Sequence, residues 1–165
     1  MALKCAFLFP GQGSQAVGMG REFYEGSDEA ARLFAEASDK SGIDFEKLLF
    51  EENDMLERTE YTQPAILLVS TIAHKLFENE MPLKPVFALG HSLGEFSALS
   101  AVGAIDIPSA VELVHLRGRL MAEACSDKDV GMLVSLGLDD KKVEELCAAA
   151  REEGASVWPV NYNAQ

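Results

Sequence analysis

The stretch Pro85-Val86-Phe87-Ala88-Leu89-Gly90-His91-Ser92-Leu93-Gly94-Glu95 decides the fold. Residues 85–89 form a short apolar run suited to a strand buried on both faces, and residues 93–102 read as a helix. Between them stands Gly90-x-Ser92-x-Gly94. A nucleophilic serine in that setting needs a sharp turn, and small residues on either side let strand and helix approach closely. The turn exposes the serine oxygen and the helix N-terminus lends it positive potential. The Leu93 N–H would face the oxyanion formed on acyl attack. The pattern alone is common, and its place between strand and helix gives it weight. The competing reading is an ordinary glycine-bounded turn with a capping serine.

Working outward toward the N-terminus, Leu3 to Phe9 is another continuous apolar run, ended by Pro10-Gly11. It suits a buried parallel strand. The loop Gly11-Gln12-Gly13-Ser14-Gln15-Ala16 satisfies the dinucleotide fingerprint G-x-G-x-x-G/A. That fingerprint needs a second strand within about 30 residues, ending in a ribose-binding acid. Residues 28–60 instead read as acidic helices and turns, with Ser27 a helix start and Gly42 a stop. The loop is better placed to supply a second oxyanion donor, with Gln12 the candidate. Thr62-Gln63-Pro64 opens a helix with Pro64 in its first turn. Its body through Phe77 is apolar on most sides, as in a helix surrounded by protein.

Toward the C-terminus, Asp106 and Pro108 start a helix that runs to about Cys125. At 100° per residue, Ala110, Leu113, Val114, Leu120, Met121 and Ala124 share a face with Arg117, while Glu112, His115, Arg119 and Glu123 lie opposite. Arg117 therefore points with the apolar stripe and needs an anion. Two readings stand: a structural ion pair, for instance with Glu95, or a fork that grips a substrate carboxylate. A serine nucleophile also needs a base, usually histidine. None of the three histidines is convincing. His91 adjoins Ser92 and reads as a loop-ordering residue, His115 lies on a polar face, and His74 reads as a structural histidine.

After Ser126 the texture changes. Met132 to Leu138 reads as a strand, Asp139 to Glu153 as an amphipathic helix closed by Gly154, and Ser156 to Tyr162 as an edge strand carrying Pro159. Residues 1–126 then form part of an α/β core, and 127–165 begin a smaller subdomain.

The chain has 165 residues, 48% of them apolar, and a net charge of −13. That apolar fraction excludes a disordered chain. The acidity argues against nucleic acid, which needs clustered cations. Residues 22–60 carry 13 acids and 4 bases, which reads as one solvated acidic surface. Cys5, Cys125 and Cys147 are too scattered for a disulfide framework or a paired metal site, and read as small core residues. No secretory signal or bilayer-length apolar run is present, so the expected setting is cytoplasmic, without a membrane partner.

The blocks Phe9-Pro-Gly-Gln-Gly-Ser-Gln15, Thr62-Gln-Pro-Ala65, Gly90-His-Ser-Leu-Gly-Glu95 and Arg117 together resemble the malonyl-CoA:acyl carrier protein transacylases of fatty acid synthesis. More distantly they resemble polyketide synthase acyltransferase domains. The resemblance implies a hydrolase-like α/β core with an inserted ferredoxin-like subdomain. It implies that Ser92 is the acyl-carrying nucleophile and that Gln12 and the Leu93 amide form the oxyanion hole. Arg117 would hold the malonyl carboxylate, with Gln63 and His91 lining the site and Asn161 and Asn163 matching a family N-x-N segment beside it. The substrates implied are malonyl-CoA, a thioester that needs no further cofactor or metal, and acyl carrier protein. Family chains continue past Gln165 and carry their histidine base there, so the expectation is an N-terminal half whose complement lies in the same or another chain. The rival readings are a serine hydrolase or thioesterase, and a non-catalytic half-domain that binds an acyl carrier or a complementary chain.

Overall fold

A computed structural model of the chain describes residues 5–81, 83–126 and 130–163. Two compact units emerge, Met1–Lys128 and Asp129–Gln165. In the first, β1 (Ala6–Phe9) leads through α1 (Arg21–Gly26), α2 (Asp28–Ser41), α3 (Phe45–Phe50) and α4 (Thr59–Glu80) to β2 (Phe87–Gly90), followed by α5 (Gly94–Ala101) and α6 (Ile107–Cys125). The strands pair in parallel, with Ala6 opposite Phe87 and Phe9 opposite Gly90. Residues 10–86 are thus the long crossover that parallel pairing demands.

Local chemistry sets the helix ends. Ser27 Oγ accepts from the Ala30 N–H to cap α2, and Gly42 closes it at φ 73°. Asp44 and Asp106 cap α3 and α6 in the same way. The core lies among these helices: Phe34 of α2, Phe45 and Leu49 of α3, Leu67 and Leu68 of α4, and Val111 and Val114 of α6 are essentially inaccessible. α4 begins at Thr59, three residues before the expected start, so Pro64 sits inside the helix rather than in its first turn.

The sheet departs from expectation. Both strands were expected to be covered on both faces, yet Leu8, Phe87 and Leu89 are 75%, 64% and 53% exposed. The register puts these three side chains on one face and Phe7 and Phe9 on the other, where α4 covers them through His74 and Phe77. One layer of helix covers one face, and among the described residues none covers the second. Leu3 and Lys4, the start of the expected first strand, lie outside the described residues.

In the second unit α7 (Asp140–Glu152) forms where the amphipathic pattern placed it, capped by Asp139 and followed by Gly154 at φ 95°. The two flanking segments, 132–138 and 156–162, are not strands. A strand is defined by its ladder, and among the described residues neither segment has a partner to build one with. Arg151 instead donates to the Val157 carbonyl at 2.8 Å, and the Tyr162 hydroxyl to Glu144 at 2.8 Å. The expected boundary at residues 126 and 127 falls beside the undescribed residues 127–129. The cysteines also differ from expectation: Cys125 is exposed, and Cys5 and Cys147 are only partly buried. Among the described residues no helix is long and apolar enough to cross a membrane.

Candidate active site

The turn from β2 to α5 is built on steric exclusion. A Cβ on Gly90 would stand 1.9 Å from the backbone carbon and oxygen of Gly94, and one on Gly94 would stand 2.4 Å from the Phe9 carbonyl oxygen. Strand, turn and helix therefore touch backbone to backbone, which only glycine permits. Between them Ser92 has φ 52°, the only positive φ among the described non-glycine residues. Such strain persists only where surrounding structure enforces it. The Gly94 and Glu95 amides donate to the carbonyls of His91 and Ser92 at 2.9 and 3.2 Å, which closes the turn.

The site lies where β1, β2 and the starts of α4 and α5 meet. Among the described residues, the Leu93 and Gln12 backbone N–H groups have no acceptor, while the Gln12 side chain donates to Thr59 Oγ1 at 3.1 Å. Gln12 can thus offer its backbone amide while its carboxamide is engaged. Against Gly11, where a Cβ would come within 2.6 Å of His91 Nδ1, the imidazole packs on the loop, in keeping with a loop-ordering role.

Arg117 joins these parts. Its guanidinium donates to Ser92 Oγ at 3.0 Å and, through the other terminal nitrogen, to Gln63 Oε1. It also lies over the Phe96 ring, 5.8 Å from the centroid. Gln63 is 1% exposed, and its Nε2 donates to Met121 Sδ at 3.3 Å. Of the two readings of Arg117, the ion pair with Glu95 is not formed: among the described residues Arg117 has neutral partners only. The helical stripe also needs correcting. α6 packs through Ala110, Val111, Val114 and Gly118, leaving Leu113, Leu120 and Met121 about half exposed and Arg117 at the edge of the buried face. That position leaves the guanidinium partly open to solvent, which lessens the cost of lacking a carboxylate partner. Thr59 and Phe96 were not singled out from sequence, and Thr59 had no local signal. Met121 was placed on the Arg117 face by its spacing, one turn beyond Arg117, but its contact with Gln63 was not read.

None of the three histidines bonds to Ser92. His115 stacks beside Tyr61, and His74 packs edge-on against Phe7 and Phe9, as expected of a structural histidine. Burial pushes the His74 pKa below its usual value, helped by Lys75 and opposed by Glu78. A folded-state pKa below the unfolded one means that the unfolded chain takes up this proton first. The His74 contribution is thus intact above about pH 6.5 and is lost as pH falls from there through the lowered folded-state value. On acidification from about pH 7 to about pH 5, the parent protein should lose more Tm than His74→Phe. An equal loss would show that His74 titrates alike in both states. Asn161 and Asn163 lie in the second unit, exposed and outside regular structure.

A strained serine thus stands on a strand–helix turn of an α/β protein, with an arginine fork across it. The acyl transferase domain family matches residues 6–162, and the chain belongs to that family. It is 45% identical over 150 residues to the malonyl CoA-acyl carrier protein transacylase of Bacillus subtilis, covering 90% of this chain and 37% of that protein. The crystal structure of malonyl-CoA:acyl carrier protein transacylase from Helicobacter pylori matches with a TM-score of 0.86 at 51% identity, over 90% of this chain and 48% of that one. A type II PKS acyl-carrier protein in complex with its malonyl-transacylase matches with a TM-score of 0.80 at 35% identity, over 92% and 49%. The chain thus spans half or less of the length of these relatives, and it is an α/β protein with their fold.

Proposed function

We propose that this chain carries the nucleophile half of a malonyl-CoA:acyl carrier protein transacylase, acting in the cytoplasm in fatty acid synthesis. The observation that carries the reading is the Arg117 fork. A guanidinium with no carboxylate partner among the described residues, 3.0 Å from a strained serine oxygen, suits an acyl group that ends in a free carboxylate. A serine hydrolase or thioesterase of neutral esters would have no use for it, and a non-catalytic half-domain would have no use for the strain at Ser92.

In this reading Ser92 Oγ attacks the malonyl-CoA thioester carbonyl and its proton passes to a histidine base. The C–S bond breaks, and the CoA thiolate leaves with that proton. The amides of Leu93 and Gln12 receive the oxyanion. Arg117 turns toward the malonyl carboxylate, with Gln63 holding one edge of the guanidinium. The phosphopantetheine thiol of acyl carrier protein then takes the acyl group by the reverse steps. The base belongs to the part of the relatives that this chain does not span, which accords with the lack of a hydrogen bond from His74, His91 or His115 to Ser92 Oγ. Residues 1–126 belong to a hydrolase-like core and 127–165 to the start of a ferredoxin-like subdomain. Asn161 and Asn163, on the segment that matches the family's N-x-N, are read as substrate-binding residues.

The test is direct. Incubated with malonyl-CoA, the whole protein carrying this chain should gain one malonyl ester, mapped to the peptide containing Ser92 and absent from Ser92→Ala. Rapid release of free malonate without a standing ester would favour the hydrolase. Absence of any adduct would favour the binding role.

A further inference from the structure

We propose that Thr59, the first residue of α4, is a positioning residue for acyl transfer, tying the oxyanion loop to the helix that also holds the arginine fork. The inference rests on the roles proposed for Gln12 and Arg117. Thr59 Oγ1 takes the Gln12 carboxamide at 3.1 Å. A second strut runs beside it: Gln15 Nε2 donates to Glu57 at 3.0 Å, while its Oε1 accepts from the Gly13 N–H at 2.9 Å. Gly13 itself has φ 107° and open space around the position of a Cβ. The loop is thus held here by hydrogen bonds rather than by packing.

The other arm of the site is fixed to the same turn of helix. A Cβ on Gly118, next to Arg117, would stand 2.7 Å from the Thr59 carbonyl oxygen and 2.8 Å from Glu60 Cα. One turn further along α4, Gln63 accepts from Arg117. The first turns of α4 therefore hold the loop that offers the Gln12 amide and the helix that offers the guanidinium. Releasing Thr59 Oγ1 frees the loop without touching the fork. Small displacements of an oxyanion donor cost rate rather than binding, because the donor acts where charge develops in the transition state.

The experiment is a double-mutant cycle in the whole protein carrying this chain. Thr59→Val removes the acceptor and keeps the shape. It should lower kcat for acyl loading about tenfold, equally for malonyl and acetyl groups, with KM for malonyl-CoA unchanged. Thr59→Ser, which keeps the acceptor, should stay within about twofold of the parent. Combined with Gln12→Ala, Thr59→Val should add nothing further, since both act through one hydrogen bond. Additive losses, a change confined to KM, or a loss restricted to malonyl would overturn the assignment. Intact mass of the parent after malonyl-CoA treatment keeps the two levels apart. A Ser92 ester with an additive cycle removes the role of Thr59 alone, whereas no ester removes the underlying reading and the inference with it.

Discussion

Gly90→Ala should lower the proposed acyl loading by about 10²-fold and destabilise the protein, in the largest structural effect expected of any single methyl group here. The added Cβ would stand 1.9 Å from two backbone atoms of Gly94 and 2.3 Å from the Glu95 nitrogen. No side chain can swing aside, because every neighbour is main chain. Relief requires α5 to slide away from β2, yet α5 is also held from below, where Gly94 abuts the Phe9 and Pro10 carbonyls. Overpacking of this kind costs about 3 kcal/mol at the upper end of the usual range. Widening the turn also lets Ser92 relax from φ 52°, and its oxygen leaves the reach of Arg117. Misplacement by about 1 Å is enough for a loss of about 10²-fold in rate. Thermal unfolding and malonyl loading followed by intact mass should fall together. A variant that kept its Tm and loaded at the parent rate would show that the contact between Gly90 and Gly94 is looser than the backbone geometry implies.

Those contacts explain what was legible in the sequence. The elbow could be read because its requirement is local: a serine with a glycine two residues to either side, after an apolar run and before a helical one. The helix ends at Ser27, Gly42, Asp106 and Gly154 were legible for the same reason, since a cap is a property of a few adjacent residues. What failed was non-local. Residues 132–138 and 156–162 have strand composition, but a strand exists only with a partner, and the sequence of one strand does not contain the other. Burial of Leu8, Phe87 and Leu89 failed likewise, because apolar content states a need for cover without saying what supplies it. The α6 stripe was half right: the 3.6 period identified the face, and packing on α4 and α2 rotated the buried part toward Val111 and Gly118. Thr59 was invisible because its role depends on Gln12, 47 positions away.

Arg117→Ala should lower the ratio of malonyl to acetyl loading by about 10²-fold. Two charge-assisted hydrogen bonds to a carboxylate are worth about 3 kcal/mol together, and tenfold corresponds to about 1.4 kcal/mol. Only malonyl carries that carboxylate, so only malonyl loses the contact. Acetyl loading should hold or rise, because the substitution also removes the donor now resting on Ser92 Oγ, 3.0 Å away, and leaves that oxygen free for attack. Arg117→Lys should fail nearly as badly for malonyl. A single ammonium cannot address Gln63, Ser92 and a carboxylate with the fixed fork that a guanidinium offers, and it would lose the stacking over Phe96. Stability should change little, since Arg117 lies at the edge of the buried face and makes no ion pair among the described residues. Equal losses for malonyl and acetyl would mean that Arg117 serves Ser92 and not the substrate. In that case the fork would be part of the nucleophile's support, and the preference for a carboxylated acyl group would have to come from elsewhere in the site.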